Sequence, residues 1–317
     1  MNKLPHIQYG HAFLRFIHYL AALRKTHPGE KIYIQKFDAD GAFKRLNLSF
    51  RSALQSITAF EGVAYIPLRM PFGAASASHF WGAVSECMAD VANDELLDGR
   101  LPILSVSPSR LGDRYMEPEI LDEKIKFATA GELIHSPKLG GGQKVDVFVD
   151  DFFGLSVDRQ IAGMHSTRRL FNVVTNVFDV FFNARINLTQ LGLTRNDAVS
   201  LKKLEAEGQP SERKTVLGWV VNTRSMEVHL PRTKVNAWSQ QVRLIMRAGK
   251  CSSKDLERLI GKMVRTSMIL PGAQAFIVHF RKLRAECRSG TVLIDDTGRT
   301  HLNFWLRLFK VAGAELR

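Results

Sequence analysis

The sequence predicts an α+β protein, on three observations. Two stretches read as antiparallel hairpins, 145–157 and 216–230, each with apolar runs on both sides of a short turn. Helical periodicity falls in blocks between and after them instead of alternating strictly with strands. From about residue 232 the pattern is helical.

Residues 11–25 place Phe13, Leu14, Ile17 and Leu20 on one side of an amphipathic helix, which His27-Pro28-Gly29 breaks. A strand over 31–38 follows and ends on Asp38. Val63-Ala64-Tyr65-Ile66-Pro67-Leu68 holds a second, short strand. The small-residue run from Pro71 to Ser78 is a turn before a helix reaching about Leu97, with Phe80, Trp81, Val84, Met88 and Val91 as its apolar stripe. Residues 98–144 hold Pro102, Pro108, Pro118, Pro137 and Gly140-Gly141-Gly142 with weak periodicity, and read as a long insertion. A helix is expected over 159–182, and 187–214 is polar. Pro231 marks the start of a helix over 233–248, with Val235, Trp238, Val242 and Ile245 on one face. Ser252, with Asp255 three residues on, resembles a capping box opening the next helix. There Leu256, Leu259, Ile260 and Met263 face a core, while Arg258, Lys262 and Arg265 line another face. Pro271-Gly272 stops it, and Phe276, Ile277, Phe280 and Leu283 define a third helix.

The formal charge is +13, and its distribution is uneven. Residues 1–190 hold 21 Lys and Arg against 20 Asp and Glu; residues 191–317 hold 23 against 11. That asymmetry points to a polyanion partner, nucleic acid first, held by the C-terminal part. No apolar run approaches membrane-spanning length, so no membrane partner is expected. The first residues lack the apolar core of a secretory signal, and an intracellular location, cytoplasmic or nuclear, is the expectation. The three cysteines, Cys87, Cys251 and Cys287, form no CxxC pair, so neither zinc nor a disulfide framework is expected.

The most informative residues are Asp150 and Asp151, inside Val147-Phe148-Val149-Asp150-Asp151-Phe152-Phe153. Carboxylates flanked by such side chains are costly to ionise unless a cation sits on them. With Asp38 they make three acids at strand ends, a donor set suited to two Mg²⁺ ions and in-line phosphoryl chemistry. Asp295-Asp296 is an internal contrast: Thr297-Gly298 follows it, and it reads as an exposed turn.

In order along the chain, these residues resemble the motifs of reverse transcriptases. Phe37-Asp38-Ala39-Asp40-Gly41-Ala42-Phe43 is similar to their first palm motif, and Met70-Pro71-Phe72-Gly73-Ala74-Ala75-Ser76-Ala77 to their second. Phe148-Val149-Asp150-Asp151 resembles the (Y/F)xDD motif, and Leu217-Gly218-Trp219 the primer-grip hairpin. The stretch from Lys254 to Lys262 looks like the thumb helix of retrotransposon enzymes. The flavour is of eukaryotic retrotransposons, DIRS-like ones among them.

The resemblance implies a palm with a ferredoxin-like antiparallel sheet and partial fingers over 1–231, a helical thumb over 232–290, and the start of a connection segment over 291–317. It implies RNA-directed DNA polymerisation, in which a primer 3′-hydroxyl attacks a deoxynucleoside triphosphate on an RNA or DNA template. Two Mg²⁺ ions, or Mn²⁺, would be held by Asp38, Asp150, Asp151 and the backbone carbonyl of Ala39. Phe43 would exclude the ribose 2′-hydroxyl, its alternative being a plain core residue. Phe72 and Gly73 would meet the nucleotide and template. Lys203 would assist pyrophosphate departure, with Lys202 and Lys214 as rivals. Gly218, Trp219, Arg258, Lys262 and Arg265 would hold the duplex.

Departures from the pattern are also visible. Only 37 residues precede Asp38, so most of the fingers is absent, and Ser78 stands where many relatives have Pro. No acidic ribonuclease H constellation follows. Two alternatives stand, a piece of a longer polyprotein and an incomplete gene model; in the first, ribonuclease H and integrase or recombinase modules would lie elsewhere in the element. Three rivals stay open: an inactive or domesticated palm that only binds nucleic acid, an RNA polymerase of palm ancestry, and a generic two-metal phosphohydrolase.

Overall fold

A computed structural model describes residues 7–97, 118–128, 141–161, 163–182, 198–287 and 290–313. Most of the insertion expected over 98–144 and much of the polar stretch after 182 lie outside the described residues. The chain divides into two units: one runs to Lys214 and takes in Thr223–Met226, and the other comprises Thr215–Asn222 and everything from Glu227. The class is α+β, with small antiparallel sheets among separate helices.

The first unit is built on one sheet. Helix α1 (Ala12–Thr26) precedes strand β1 (Ile32–Asp38). Short α2 (Phe50–Gln55) and the hairpin β2 (Thr58–Phe60) and β3 (Val63–Tyr65) lead to the long helix α3 (Ala77–Leu97). Strands β4 (Gln143–Phe148) and β5 (Asp151–Val157) form the central hairpin. A small hairpin, β6 (Gln160–Ile161) with β7 (Met164–His165), comes before α4 (Ser166–Phe182), and α5 (Leu201–Glu207) lies near the unit's end.

The sheet order is β1–β5–β4, antiparallel throughout. The ferredoxin-like sheet expected here has three strands among the described residues, with an isolated bridge between Ile34 and Ser211 beside β1. Both faces are covered. Phe16 of α1 meets Phe153 edge-on at 5.2 Å between ring centroids, and Phe178 of α4 meets Phe152 at 4.8 Å. Strands packed on two faces read as continuous apolar runs. That explains why β1 and β5 show no strict alternation. The edge strand β4 is pinned to α3 by the buried amide of Asn93, which donates to the Val145 carbonyl and accepts from its N–H, each at 2.9 Å.

Several sequence expectations shift. The buried face of α1 is Phe13, Phe16, Leu20 and Leu23, while Leu14 is exposed. The stripe of α3 is Trp81, Ser85, Met88, Ala92 and Leu96, with Phe80 and Val91 outward. Small residues let α3 lie close to the sheet, so its buried face contains few large side chains. The strand expected over 63–68 spans only Val63–Tyr65 and is the second arm of a hairpin. The helix expected from 159 begins at Ser166, because Gln160 and Ile161 first pair with His165 and Met164.

The second unit holds most of a sheet in order β10–β9–β8, made by β8 (Arg213–Val216), β9 (Trp219–Asn222) and β10 (Glu227–His229). Helix α6 (Arg232–Ala248) ends at Gly249, and β11 (Lys250–Ser252) precedes α7 (Ser253–Ser267). Ser252 is the N-cap: its hydroxyl accepts from the Asp255 N–H at 3.0 Å and donates to the Asp255 carboxylate at 2.6 Å, so the two side chains bond to each other in place of the second backbone bond of a capping box. Helix α8 (Ala275–Glu286) follows a 3₁₀ turn at Pro271–Gln274. Strand β12 (Thr291–Leu293) pairs with β11, and α9 (Asp296–Gly313) buries Leu302, Trp305 and Phe309. Asp295 is not an idle turn: its carboxylate accepts from the Gly298 N–H at 2.7 Å and pairs with His279.

Candidate active site

Asp38 ends β1 and Asp151 begins β5, and the two are direct partners in the antiparallel register. Residues 113 positions apart in sequence are thereby neighbours on one sheet end. Asp150 sits in the two-residue turn Val149-Asp150 that joins β4 to β5. Its carbonyl accepts from the Ala39 N–H at 3.3 Å, so the residue after Asp38 touches the hairpin tip.

That tip is strained. Val149 adopts φ +59°, a left-handed conformation that a β-branched residue avoids. Two-residue hairpin turns usually use Asn-Gly or Gly to reach it. Such strain costs about 1–3 kcal/mol and persists only where the surroundings impose it. Here the indole N–H of Trp81 donates to the Val149 carbonyl at 2.7 Å, anchoring the turn to α3.

Electrostatics mark the same spot. Asp38 is 7% exposed. Burial, and to a smaller extent Asp150 and Asp151, push its carboxyl up to about 6, even though Lys203 pulls the other way. Burial also raises Asp150, and Asp151 adds to it. The Lys203 ammonium of α5 pairs with Asp38 Oδ1. Burial alone would lower Lys203, but the pairing more than offsets that and holds it above the ordinary lysine range. Of the three lysine candidates, Lys203 is the one on a motif aspartate. Lys202 is exposed, and the Lys214 ammonium donates to the Glu207 carbonyl at 2.8 Å.

Among the described residues no group of three or more Asp, Glu, His or Cys side chains is gathered closely enough to hold a metal ion as placed. The three aspartates share a sheet end without forming a finished coordination sphere. Their chemistry nonetheless fits Mg²⁺ or Mn²⁺, hard cations that take carboxylate oxygens. The buried Asp38 carboxylate already has a cation on it, supplied by Lys203.

The remaining first-unit candidates cluster nearby. Phe43, on a 3₁₀ turn at Ala42–Arg45, is partly buried, with its ring 5.7 Å from Phe72 and 6.3 Å from Trp81. Phe72 is 84% exposed, an outward aromatic face next to Gly73. Gly73 has φ +90°, and a Cβ there would meet nothing within 4 Å. The glycine is needed for the turn, and open space lies beside it.

In the second unit the candidates separate. Arg258 is exposed and pairs with Asp255 at 3.4 Å, and the Lys262 ammonium donates to the Gln241 side chain. Trp219 corrects the expectation of a nucleic-acid contact: at 1% exposure it packs into the interior. Arg265 instead turns toward Gly218. Leu217 and Gly218 both have positive φ, and a Cβ on Gly218 would stand 2.5 Å from Lys234 Nζ and 2.9 Å from Arg265 Nη2. Burial lowers Lys234, and Arg265 beside it lowers it further; burial alone lowers Arg265. No carboxylate acts on either among the described residues, and the buried Arg265 Nε has no hydrogen-bond partner. The Lys234 ammonium donates to the Gly218 carbonyl at 3.3 Å, so both cations lie on this turn. Sequence reasoning missed Lys234, which follows Pro231 in an otherwise ordinary helix start.

No family model and no curated protein sequence matches the chain. Among solved structures it is similar to the foamy viral protease-reverse transcriptase. The dRH form in complex with double-stranded DNA is 12% identical over 90% of this chain and 36% of that one, with a TM-score of 0.49. The complex with RNA/DNA hybrid is 12% identical over 89% and 27%, with a TM-score of 0.46. A further complex with double-stranded DNA is 13% identical over 89% and 42%, with a TM-score of 0.42. In each case this chain spans less than half of the other's length.

Proposed function

We propose that the chain is the polymerising part of a reverse transcriptase, adding deoxynucleotides to a primer 3′-hydroxyl on an RNA or DNA template. The observation that carries this is the meeting of Asp38 with Asp151 in register, beside Asp150 on a strained, anchored turn. Asp38, Asp150, Asp151 and the Ala39 carbonyl would hold the divalent ions. The chemistry supplied by such ions, when held there, would be activation of the primer hydroxyl and neutralisation of the leaving pyrophosphate. Phe43 walls the sugar side, Phe72 offers a ring to the base, and the Gly218 turn with Lys234 and Arg265 holds backbone phosphate. Ribonuclease H and integrase or recombinase modules would belong to the same retroelement. The direct test is Mg²⁺-dependent incorporation of deoxynucleotide on a primed homopolymer, with no product in EDTA.

One observation favours a second reading, a palm that holds nucleic acid without extending it: the acids are not gathered into a metal site as placed. Tight primer–template binding with no incorporation at any Mg²⁺ or Mn²⁺ concentration would select it.

The acid limb of activity follows from Asp38. Burial, with the neighbouring acids, keeps it protonated up to about pH 6 in the metal-free chain. A proton and a cation compete for the same oxygens. Extension is expected to fall as pH drops through about 6, and raising Mg²⁺ is expected to move that limb to lower pH. Rate profiles at two Mg²⁺ concentrations check this; superimposable limbs would assign the titration to another group.

Phe43→Ala is expected to relax sugar discrimination by about tenfold or more, because an apolar wall is what rejects the extra hydroxyl. Competition between deoxynucleotide and ribonucleotide at one template position reads it. A core role alone would lower stability and leave the ratio unchanged.

A further inference from the structure

We propose that Lys203 is an exchangeable internal counter-ion, which occupies Asp38 while the site is free of metal and is displaced when a divalent cation binds. The proposal rests on the polymerase reading of the carboxylate site and adds a coupling that the reading does not contain.

The two partners of the ion pair differ in freedom. Asp38 is fixed: its carbonyl accepts from the Ser200 N–H at 2.8 Å, its backbone is in register with Asp151, and its side chain is 8% exposed. Lys203 is 53% exposed at the side chain, on a helix whose start is set by Ser200. A long ammonium side chain on a solvent-facing helix can swing into water at little cost. A buried carboxylate cannot follow it, and left alone it would bear the full burial penalty. Such a pair opens only when another cation takes the vacated place.

Charge arithmetic says which cation. Asp38, Asp150 and Asp151 carry three negative charges against one from Lys203, so the pair leaves the sheet end under-neutralised. A divalent ion balances it better than one ammonium does. Neighbouring lysines do not duplicate the role: Lys202 is exposed on the same helix, and Lys214 is engaged with the Glu207 carbonyl. Displacement also frees the Lys203 ammonium on the solvent side, where a polyphosphate would bring its charge. Metal loading and the release of Lys203 for the triphosphate are then one event.

The test uses the whole chain without nucleotide or nucleic acid. Mn²⁺ affinity is measured from the electron paramagnetic resonance signal of the free ion, and thermal unfolding is followed in EDTA and in Mg²⁺. Lys203→Gln is expected to tighten Mn²⁺ binding by about fivefold, the effect of removing one like charge near the ion at high dielectric. Lys203→Arg and Lys202→Gln are expected to bind Mn²⁺ as the parent chain does. In EDTA, Lys203→Gln should melt below the parent, and Mg²⁺ should raise its melting temperature by more than it raises the parent's. A merely structural lysine would lower the melting temperature equally in both solutions. Unchanged Mn²⁺ affinity together with an unchanged Mg²⁺-induced shift overturns the counter-ion. Asp38→Asn separates the two levels: if it costs no Mn²⁺ affinity, the carboxylates are not the metal site, and the polymerase reading falls with the proposal.

Discussion

Asp150→Asn is expected to cut Mg²⁺-dependent primer extension by about 10³-fold or more, the loss of roughly 4 kcal/mol of charge stabilisation. Primer–template binding should stay close to that of the parent. The substitution keeps the shape of the side chain and the backbone of the turn, so the Asp150 carbonyl can still accept from Ala39. Only the charge goes. Burial already disfavours that charge, since it raises the Asp150 carboxyl above the ordinary range. Neutralising the group should therefore leave thermal stability equal or slightly higher, which is the opposite of what a folding defect would give. Gel-based extension, filter binding and thermal unfolding on the same preparation distinguish the outcomes. Retained extension would count decisively against the assignment.

The part of this site carried by contiguous residues was legible in the sequence. The hairpin around Asp150 and Asp151 announces itself because both arms are apolar and the acids interrupt them at the turn. The strand ending on Asp38 was legible for the same reason. Their meeting was not, since antiparallel register between β1 and β5 is a long-range choice that local pattern cannot reveal. The family resemblance supplied it, and the register agrees with it.

Elements whose existence depends on tertiary support were harder to see. Helix α5 is seven residues of polar sequence, Leu201–Glu207, with Leu204 as its one buried anchor, too short to show a period. Its importance lies in placing Lys203, the sequence's choice over its rivals Lys202 and Lys214. On α1 and α3, Phe13, Leu20, Trp81 and Met88 are buried as the pattern predicts, whereas Leu14, Phe80 and Val91 are exposed, for a different reason. Large apolar residues occur on both sides of each helix, and the packed side of α3 is partly defined by Ser85, Ala89 and Ala92. A hydrophobicity count gives such residues little weight, although they permit close packing. Val149 shows the converse: a β-branched residue is what sequence rules would least place at positive φ, so the strain at the tip was invisible before the backbone was known.

Lys234→Gln combined with Arg265→Gln is expected to weaken binding of a primed duplex by about 100-fold at moderate salt, through two lost phosphate contacts. The slope of log affinity against log salt should shrink by about two, because each cation that neutralises a phosphate releases roughly one counter-ion. Solvated surface charges would not behave this way. Lys234 and Arg265 lie within reach of one glycine turn, and among the described residues no carboxylate acts on them and the buried Arg265 Nε has no partner. Bringing like charges together costs stability, so the double substitution should also raise the melting temperature of the free protein. Arg258→Gln is the internal comparison, since Arg258 is exposed and already paired with Asp255; its effect should stay within about threefold. A large Arg258 effect with a small Lys234–Arg265 effect would move the phosphate track to the outer face of α7 and leave the Gly218 turn with a structural role alone.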